Sequence, residues 1–164
     1  MTNLKGNILL FLKIRSGSVD EAASDLRDRP EVTEVNRLLG QWDLVVSGNF
    51  PDYDTYRAFA ENIETKPYCD RVSAYPCFRE WRREKPSKTP ITGWAMIGTN
   101  KTEETFEKLK DYQQVYWMTY TTGDYNIIAL MGARELDELS NFMTSEVQRI
   151  PGVKRTETLP SPQA

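Results

Sequence analysis

Shifted against itself by 83 positions, the chain matches Ile14 with Ile97, Glu21 with Glu104, Leu26 with Leu109 and Val32 with Val115. Gly40 meets Gly123, Asp54 meets Asp137 and Phe59 meets Phe142, and one register later Pro67 meets Pro151, Arg71 meets Arg155 and Pro76 meets Pro160. The 164 residues therefore read as one structural unit written twice.

Each copy carries the same succession of signals. In the first, an apolar strand Asn7–Ile14 precedes a helix with Val19, Ala22, Ala23 and Leu26 on one stripe. Ser18 followed by Glu21 predicts a capping box at its start. Val32–Leu39, a turn at Gly40-Gln41 and Trp42–Gly48 predict a hairpin. A helix over about Asp52–Glu64, with Tyr53, Tyr56, Ala60 and Ile63 on one face, and a strand Arg71–Phe78 complete the unit. The second copy predicts strand Gly93–Thr99, helix Glu103–Asp111, strand Gln114–Thr121, turn Gly123-Asp124 and strand Tyr125–Met131. Helix Glu135–Arg149, with Leu136, Leu139, Met143, Val147 and Ile150 inward, and strand Val153–Leu159 follow. Both copies are thus β-α-β-β-α-β, an α+β plan with two helices on one face of an antiparallel sheet. The predicted limits are 1–78 for the first repeat, 79–89 for a charged, proline-bearing linker, and 90–160 for the second.

A sheet covered on one face exposes the other, and burying apolar area contributes about 25 cal/mol per Å². The expected remedy is two bare faces pressed together, an intramolecular dimeric α/β-barrel, and Trp42, Trp94, Tyr116, Trp117, Tyr120 and Tyr125 suit such an interface.

Composition excludes several functions. The formal charge is −3, so nothing in the net balance attracts nucleic acid, although residues 79–88 carry a local surplus of base and read as a solvated linker whose Trp81 packs against a neighbour. The chain contains no histidine, which rules out a Ser-His-Asp triad, a His-held zinc or iron, and a His-ligated haem. No metal site, cofactor or catalytic group stands out. The longest apolar run, Ile8–Leu12, is too short for a membrane span, and no secretory signal is visible. Cys69 and Cys77, about 26 Å apart if extended, predict two thiols in a reducing cytoplasm.

The stretch TTGDYNIIALMGARELDELSNFMTSEVQRIPGVKRTETLP closely resembles the effector-binding domain of Lrp/AsnC regulators, whose Thr-Gly-x-Tyr-(Asp/Asn) hairpin is here Thr122-Gly123-Asp124-Tyr125-Asn126. A Gly-Val-x-x-Thr-x-Thr strand matches Gly152–Thr158. The resemblance implies a ferredoxin-like fold, α/β-barrel pairing, and an amino acid or similar metabolite bound near the glycine hairpin. The first copy keeps Gly40 and Asp43 but lacks the threonines. Only Met1 to Gly6 precede the first strand, so a helix-turn-helix that would read DNA is not expected here.

Candidate ligand-binding residues are therefore Thr121, Thr122, Gly123, Asp124 and Tyr125, with Gly40, Gln41, Trp42 and Asp43 in the other copy. Glycine admits positive φ and close backbone approach, hydroxyls and N–H groups suit a carboxylate, and Asp124 suits an ammonium. Gly-Asp also serves as an ordinary hairpin turn with no ligand. The expected function is a non-enzymatic small-molecule sensor acting by assembly with itself or with an Lrp/AsnC-type protein. The alternatives are a cofactor-free or haem-related enzyme of the same fold, and an interaction module that has lost its ligand.

Overall fold

The computed structural model describes residues 6–84 and 89–162, divided between Cys77 and Phe78 into two units. The first unit runs β1 (Gly6–Ile14), α1 (Val19–Arg27), β2 (Val32–Arg37), β3 (Leu44–Phe50), α2 (Tyr53–Glu64) and β4 (Cys69–Pro76). Its four strands lie in the order β2-β3-β1-β4, every neighbour antiparallel. Alternate residues of β1, Ile8, Leu10, Leu12 and Ile14, join Ala22, Ala23 and Leu26 of α1 and Phe59 and Ile63 of α2 in one buried core. On the opposite face, Phe11 packs against Trp42 and Tyr75, with ring centroids 6.3 and 5.6 Å away.

The second unit begins with a strand. Arg79–Arg82 forms β5 and pairs with Trp117–Tyr120, so part of the expected linker belongs to this sheet. Trp81 packs on the second core, Arg79 lies over Phe106 and Tyr120, and the Glu80 carboxylate accepts from Trp117 Nε1 at 3.0 Å. Arg83 just beyond donates to the carbonyls of Tyr112 and Lys110. Lys85 and Pro86, also assigned to the linker, lie outside the described residues.

β6 (Ile91–Thr99), α3 (Thr102–Leu109), β7 (Val115–Tyr120), β8 (Ile127–Ala133), α4 (Leu136–Ser145), a 3-10 turn (Val147–Arg149) and β9 (Val153–Pro162) follow. Their sheet order is β5-β7-β8-β6-β9. The expected fold class is therefore present, two ferredoxin-like β-α-β-β-α-β repeats, the second with one added edge strand.

Three local expectations change. Ser18 makes no side-chain capping bond; its backbone (φ −111°, ψ 7°) departs from the extended geometry that aims a cap at the helix. α2 has the effective cap, Asp52 accepting from Thr55 N–H at 2.7 Å. α4 stops at Ser145, and Leu136 is half exposed beside a groove of about 360 Å³ rather than turned inward. No helix among the described residues is long and apolar enough to cross a membrane.

The repeat register also differs at one place. Leu12 pairs with Leu44, and Ile97 with Ile127; Leu44 and Ile127 are 83 apart, Leu12 and Ile97 are 85 apart. Ile14 therefore corresponds to Thr99, not Ile97, because the β1–α1 connection has two more residues than β6–α3. Two residues are one strand period, so every side chain keeps its face.

Candidate functional site

In the second unit, the turn Thr121–Asn126 joins β7 to β8, with Gly123 at φ +117°. Thr121 N–H donates to the Asn126 carbonyl and Asn126 N–H to the Ile97 carbonyl, both at 3.0 Å. The Asn126 amide then clamps the β6–α3 connection. Its Oδ1 accepts from Thr99 N–H at 3.0 Å, and its Nδ2 donates to the Thr99 carbonyl at 2.7 Å and to Thr102 Oγ1 at 2.8 Å.

With its base held, the turn presents Thr122, Gly123 and Asp124 to solvent and leaves Tyr125 half-buried. The Tyr125 hydroxyl donates to Glu157 Oε2 of β9 at 3.2 Å. Arg155, two residues earlier on the same edge strand, lays its guanidinium 4.9 Å from the Tyr125 ring centroid and donates to the Asp124 carbonyl. Gly98 of β6 lies directly under this side chain: a Cβ there would lie 3.1 Å from Arg155 Cγ and 3.3 Å from its Nε. Thr121 is 5% exposed, and its Oγ1 has no hydrogen-bond partner among the described residues. A buried hydroxyl left without a partner costs about 1–3 kcal/mol, a cost that a polar ligand atom would remove.

The first unit repeats the backbone with other side chains. Gly40 has the same φ of +117°. Leu38 N–H donates to the Asp43 carbonyl and Asp43 N–H to the Leu12 carbonyl, each at 2.9 Å. The Asp43 carboxylate accepts from Ile14 N–H at 2.8 Å and pairs with Lys13 Nζ at 3.4 Å. Buried Trp42 carries the Arg71 guanidinium 4.5 Å from its ring centroid. Gln41 is exposed, and Leu38 stands where the other unit has Thr121.

The tertiary fold thus brings Thr121, Asp124 and Tyr125 into one hairpin with two residues that the motif reading passed over, Arg155 and Glu157. Asp43 is engaged by its own β1, and Asp124 lies beside a guanidinium, 3.9 Å from Oδ1 to Arg155. The signal for the arginines was in the chain comparison, where Arg71 aligns with Arg155, but nothing local tied either to an aromatic some thirty residues away. Each hairpin now offers a fixed guanidinium edge on an aromatic plane, fit to hold a carboxylate. Only the second adds a hydroxyl–carboxylate pair able to pass a proton.

The remaining aromatics serve packing: Trp94 and Trp117 meet at 5.9 Å, Tyr120 meets Phe106 edge-on at 4.5 Å, and Tyr116 shares a 3.3 Å hydrogen bond with Thr89. A titratable cluster also lies away from the hairpins. In the first unit Asp25 accepts from the Tyr68 hydroxyl at 2.5 Å and from Arg29 at 3.1 Å. The Tyr68 bond, with Arg29 beside it, holds the Asp25 carboxyl below its ordinary range, while burial and Asp25 push the Tyr68 phenol upward.

The fold recurs in solved enzymes. The siroheme decarboxylase NirDL superposes with a TM-score of 0.74 over 96% of this chain and 71% of that one, at 12% identity. A chlorite dismutase variant from Candidatus Nitrospira defluvii superposes at 0.62 over 100% of this chain and 93% of that one, at 9% identity. E. coli AsnC matches 50% of this chain and 60% of that one at 25% identity, with a TM-score of 0.45. No curated protein matches. The expectation of a non-enzymatic sensor is corrected here: NirDL and the chlorite dismutase, which share the fold along nearly the whole chain, are enzymes. The model of the Lrp/AsnC ligand-binding domain matches residues 8–87 and 96–161, and by that match across both repeats the protein belongs to the Lrp/AsnC ligand-binding domain family.

Proposed function

We propose that the protein is an enzyme that removes carboxyl groups from an iron tetrapyrrole of the siroheme type. One observation carries the reading. In each repeat an arginine of the last strand lies over the aromatic two residues after a left-handed glycine, Arg71 over Trp42 and Arg155 over Tyr125. A carboxylate on the rim of a planar ring suits such a pair of cation and aromatic plane, since a guanidinium grips a carboxylate with two parallel hydrogen bonds. The fold shared with a siroheme decarboxylase supports the same choice.

Chlorite dismutase has the same architecture, but a His-ligated haem does not fit a chain without histidine. The tetrapyrrole therefore stands as substrate, held at its carboxylates, rather than as a prosthetic group held by an imidazole. Loss of CO₂ from an acetate side chain requires the substrate to be held and a proton to reach the carbon left behind, and the second hairpin has an arginine for the first and a hydroxyl for the second.

The test is anaerobic incubation of the purified protein with siroheme, followed by mass spectrometry of the tetrapyrrole. The expected product has lost CO₂ from one or more acetate groups. A tetrapyrrole of unchanged mass, under conditions where absorbance titration shows it bound, would overturn the reading.

A further inference from the structure

We infer that the second unit carries a binding site for a small uncharged molecule with an apolar body and a hydroxyl or carbonyl oxygen. The site is the groove of about 360 Å³ between α4 and β9. None of its lining residues belongs to the hairpin, so binding here and decarboxylation can be tested apart.

The groove follows from spacing along two elements. On α4 it is lined by Leu136, Leu139, Ser140 and Met143, at i, i+3, i+4 and i+7, and on β9 by alternate residues that include Thr156 and Thr158. Its depth comes from Gly93 of β6. A Cβ there would stand 2.6 Å from Leu139 Cδ2 and 3.1 Å from its Cδ1, so the leucine rests on bare strand backbone and is 1% exposed. Met143, equally buried, completes an apolar floor. In the first repeat the strand register puts Ile8 in the place of Gly93, since Ile8 pairs with Pro76 and Gly93 with Pro160. There α2 carries Tyr53 and Tyr56, with ring centroids 6.1 Å apart, at the places of Leu136 and Leu139. The Arg57–Glu61 ion pair stands where the second repeat has Ser140 and Thr144. A glycine, two leucines and two small hydroxyl residues thus leave open the volume that larger or charged side chains take in the other copy.

The chemistry of the lining selects the ligand. No charged side chain lines the groove, although 27% of the chain is charged. An ion entering it would lose water without gaining a partner. The polar groups on offer are neutral. The Thr156 hydroxyl accepts from Gln148 Nε2 at 3.0 Å, and the Thr144 hydroxyl donates to the Ser140 carbonyl at 3.1 Å. The hydroxyls of Ser140 and Thr158 have no partner among the described residues. A hydroxyl both donates and accepts, so these two can hold an alcohol or carbonyl oxygen over the Leu139–Met143 floor. The volume falls at the lower end of the ~300–1,000 Å³ of small-molecule sites. A protein partner does not suit it: on α3 and α4 only Leu136 is a large, mainly exposed apolar side chain, far short of the ~1,000 Å² that a stable interface buries.

The full chain and the variants Gly93→Ala, Leu136→Tyr and Thr158→Val test this. The probe is 1-octanol, with octanoate and octylammonium as charged counterparts, read by methyl NMR titration; melting curves check that each variant folds. 1-Octanol should bind saturably, shift the Leu139 and Met143 methyl signals, and leave those of Leu26 and Ile63 in the first unit unmoved. Each CH₂ removed from the probe should weaken binding about threefold, and either charged counterpart should bind about tenfold more weakly or worse. Gly93→Ala lifts the flexible end of Leu139 into the groove, and Leu136→Tyr supplies the ring found at Tyr53; each should weaken binding about tenfold or more. Thr158→Val removes one hydroxyl and should cost about fivefold. Wild-type protein that does not bind 1-octanol overturns the site, as do folded Gly93→Ala and Leu136→Tyr forms that bind it as tightly as wild type. Octanoate or octylammonium bound as tightly as 1-octanol, or a Thr158→Val form of unchanged affinity, overturns the assigned ligand class.

Discussion

In the first repeat Lys13 faces Asp43 across the base of the hairpin; in the second, Gly98 and Asn126 occupy the same two places. The backbone barely registers the exchange, since both glycines keep the same φ and both turns hang on the same pair of main-chain bonds. What changes is how the turn is anchored and what is left over it. An aspartate drawn between Ile14 N–H and Lys13 gives a charged anchor. An asparagine with three hydrogen bonds gives a neutral anchor. A duplicated hairpin can thus keep its shape while its chemistry drifts, because main-chain bonds set the shape and side chains set the chemistry.

The largest expected effect separates the two anchors. Asn126→Ala should destabilise the second unit by about 3 kcal/mol, since it strips Thr99 and Thr102 of three bonds, and Asp43→Ala the first by about 1–2 kcal/mol. Urea titrations of the full-length variants measure both, and equal losses would show that the anchors do not differ in strength. Next, Gly40→Ala and Gly123→Ala should each cost of order 1–3 kcal/mol, and by similar amounts, because the strain follows φ alone. A clear inequality in their melting shifts would break the backbone equivalence.

A third comparison uses pH. Asp25 titrates low in the folded first unit, so its contribution is present above the ordinary carboxylate pKa and is lost as pH falls through the lowered value. Tyr68 titrates high, so its contribution is present below the ordinary phenol pKa of about 10 and is lost as pH rises through the raised value. Tyr68→Phe should cost about 1 kcal/mol near neutrality, the ordinary hydrogen-bond figure because Asp25 is more than a third exposed, and should flatten the acid and alkaline slopes of melting temperature. Unchanged slopes would remove this cluster as the source of pH sensitivity. The smallest effect concerns helix starts: Ser18→Ala should change stability by no more than a few tenths of a kcal/mol, and Asp52→Ala should lower the melting temperature more, because only Asp52 makes a capping bond.

Most elements were readable because their signals are local. Ile8, Leu10, Leu12 and Ile14 show a strand period in their own spacing, as Ala22, Ala23 and Leu26 show a helical one. β5 was not readable: among its four residues Arg79, Glu80 and Arg82 are charged, and only β7 beside it supplies Trp117 for Glu80 and Tyr120 for Arg79. Of the candidate site, the glycine turns and Tyr125 came from the motif. Arg155 and Glu157 did not, because their partners lie across a strand, about thirty residues back along the chain.

By itself the sequence determined the duplication, the order of strands and helices, the buried stripes and the two turns that require glycine, since each follows from spacing along the chain or from one residue's φ. Only the tertiary structure decided that Ile14 answers to Thr99, that a charged segment closes the second sheet, and that an arginine roofs each hairpin aromatic. Those outcomes depend on which strands become neighbours and in what register, and a two-residue slip that preserves every face leaves no trace in hydrophobic periodicity.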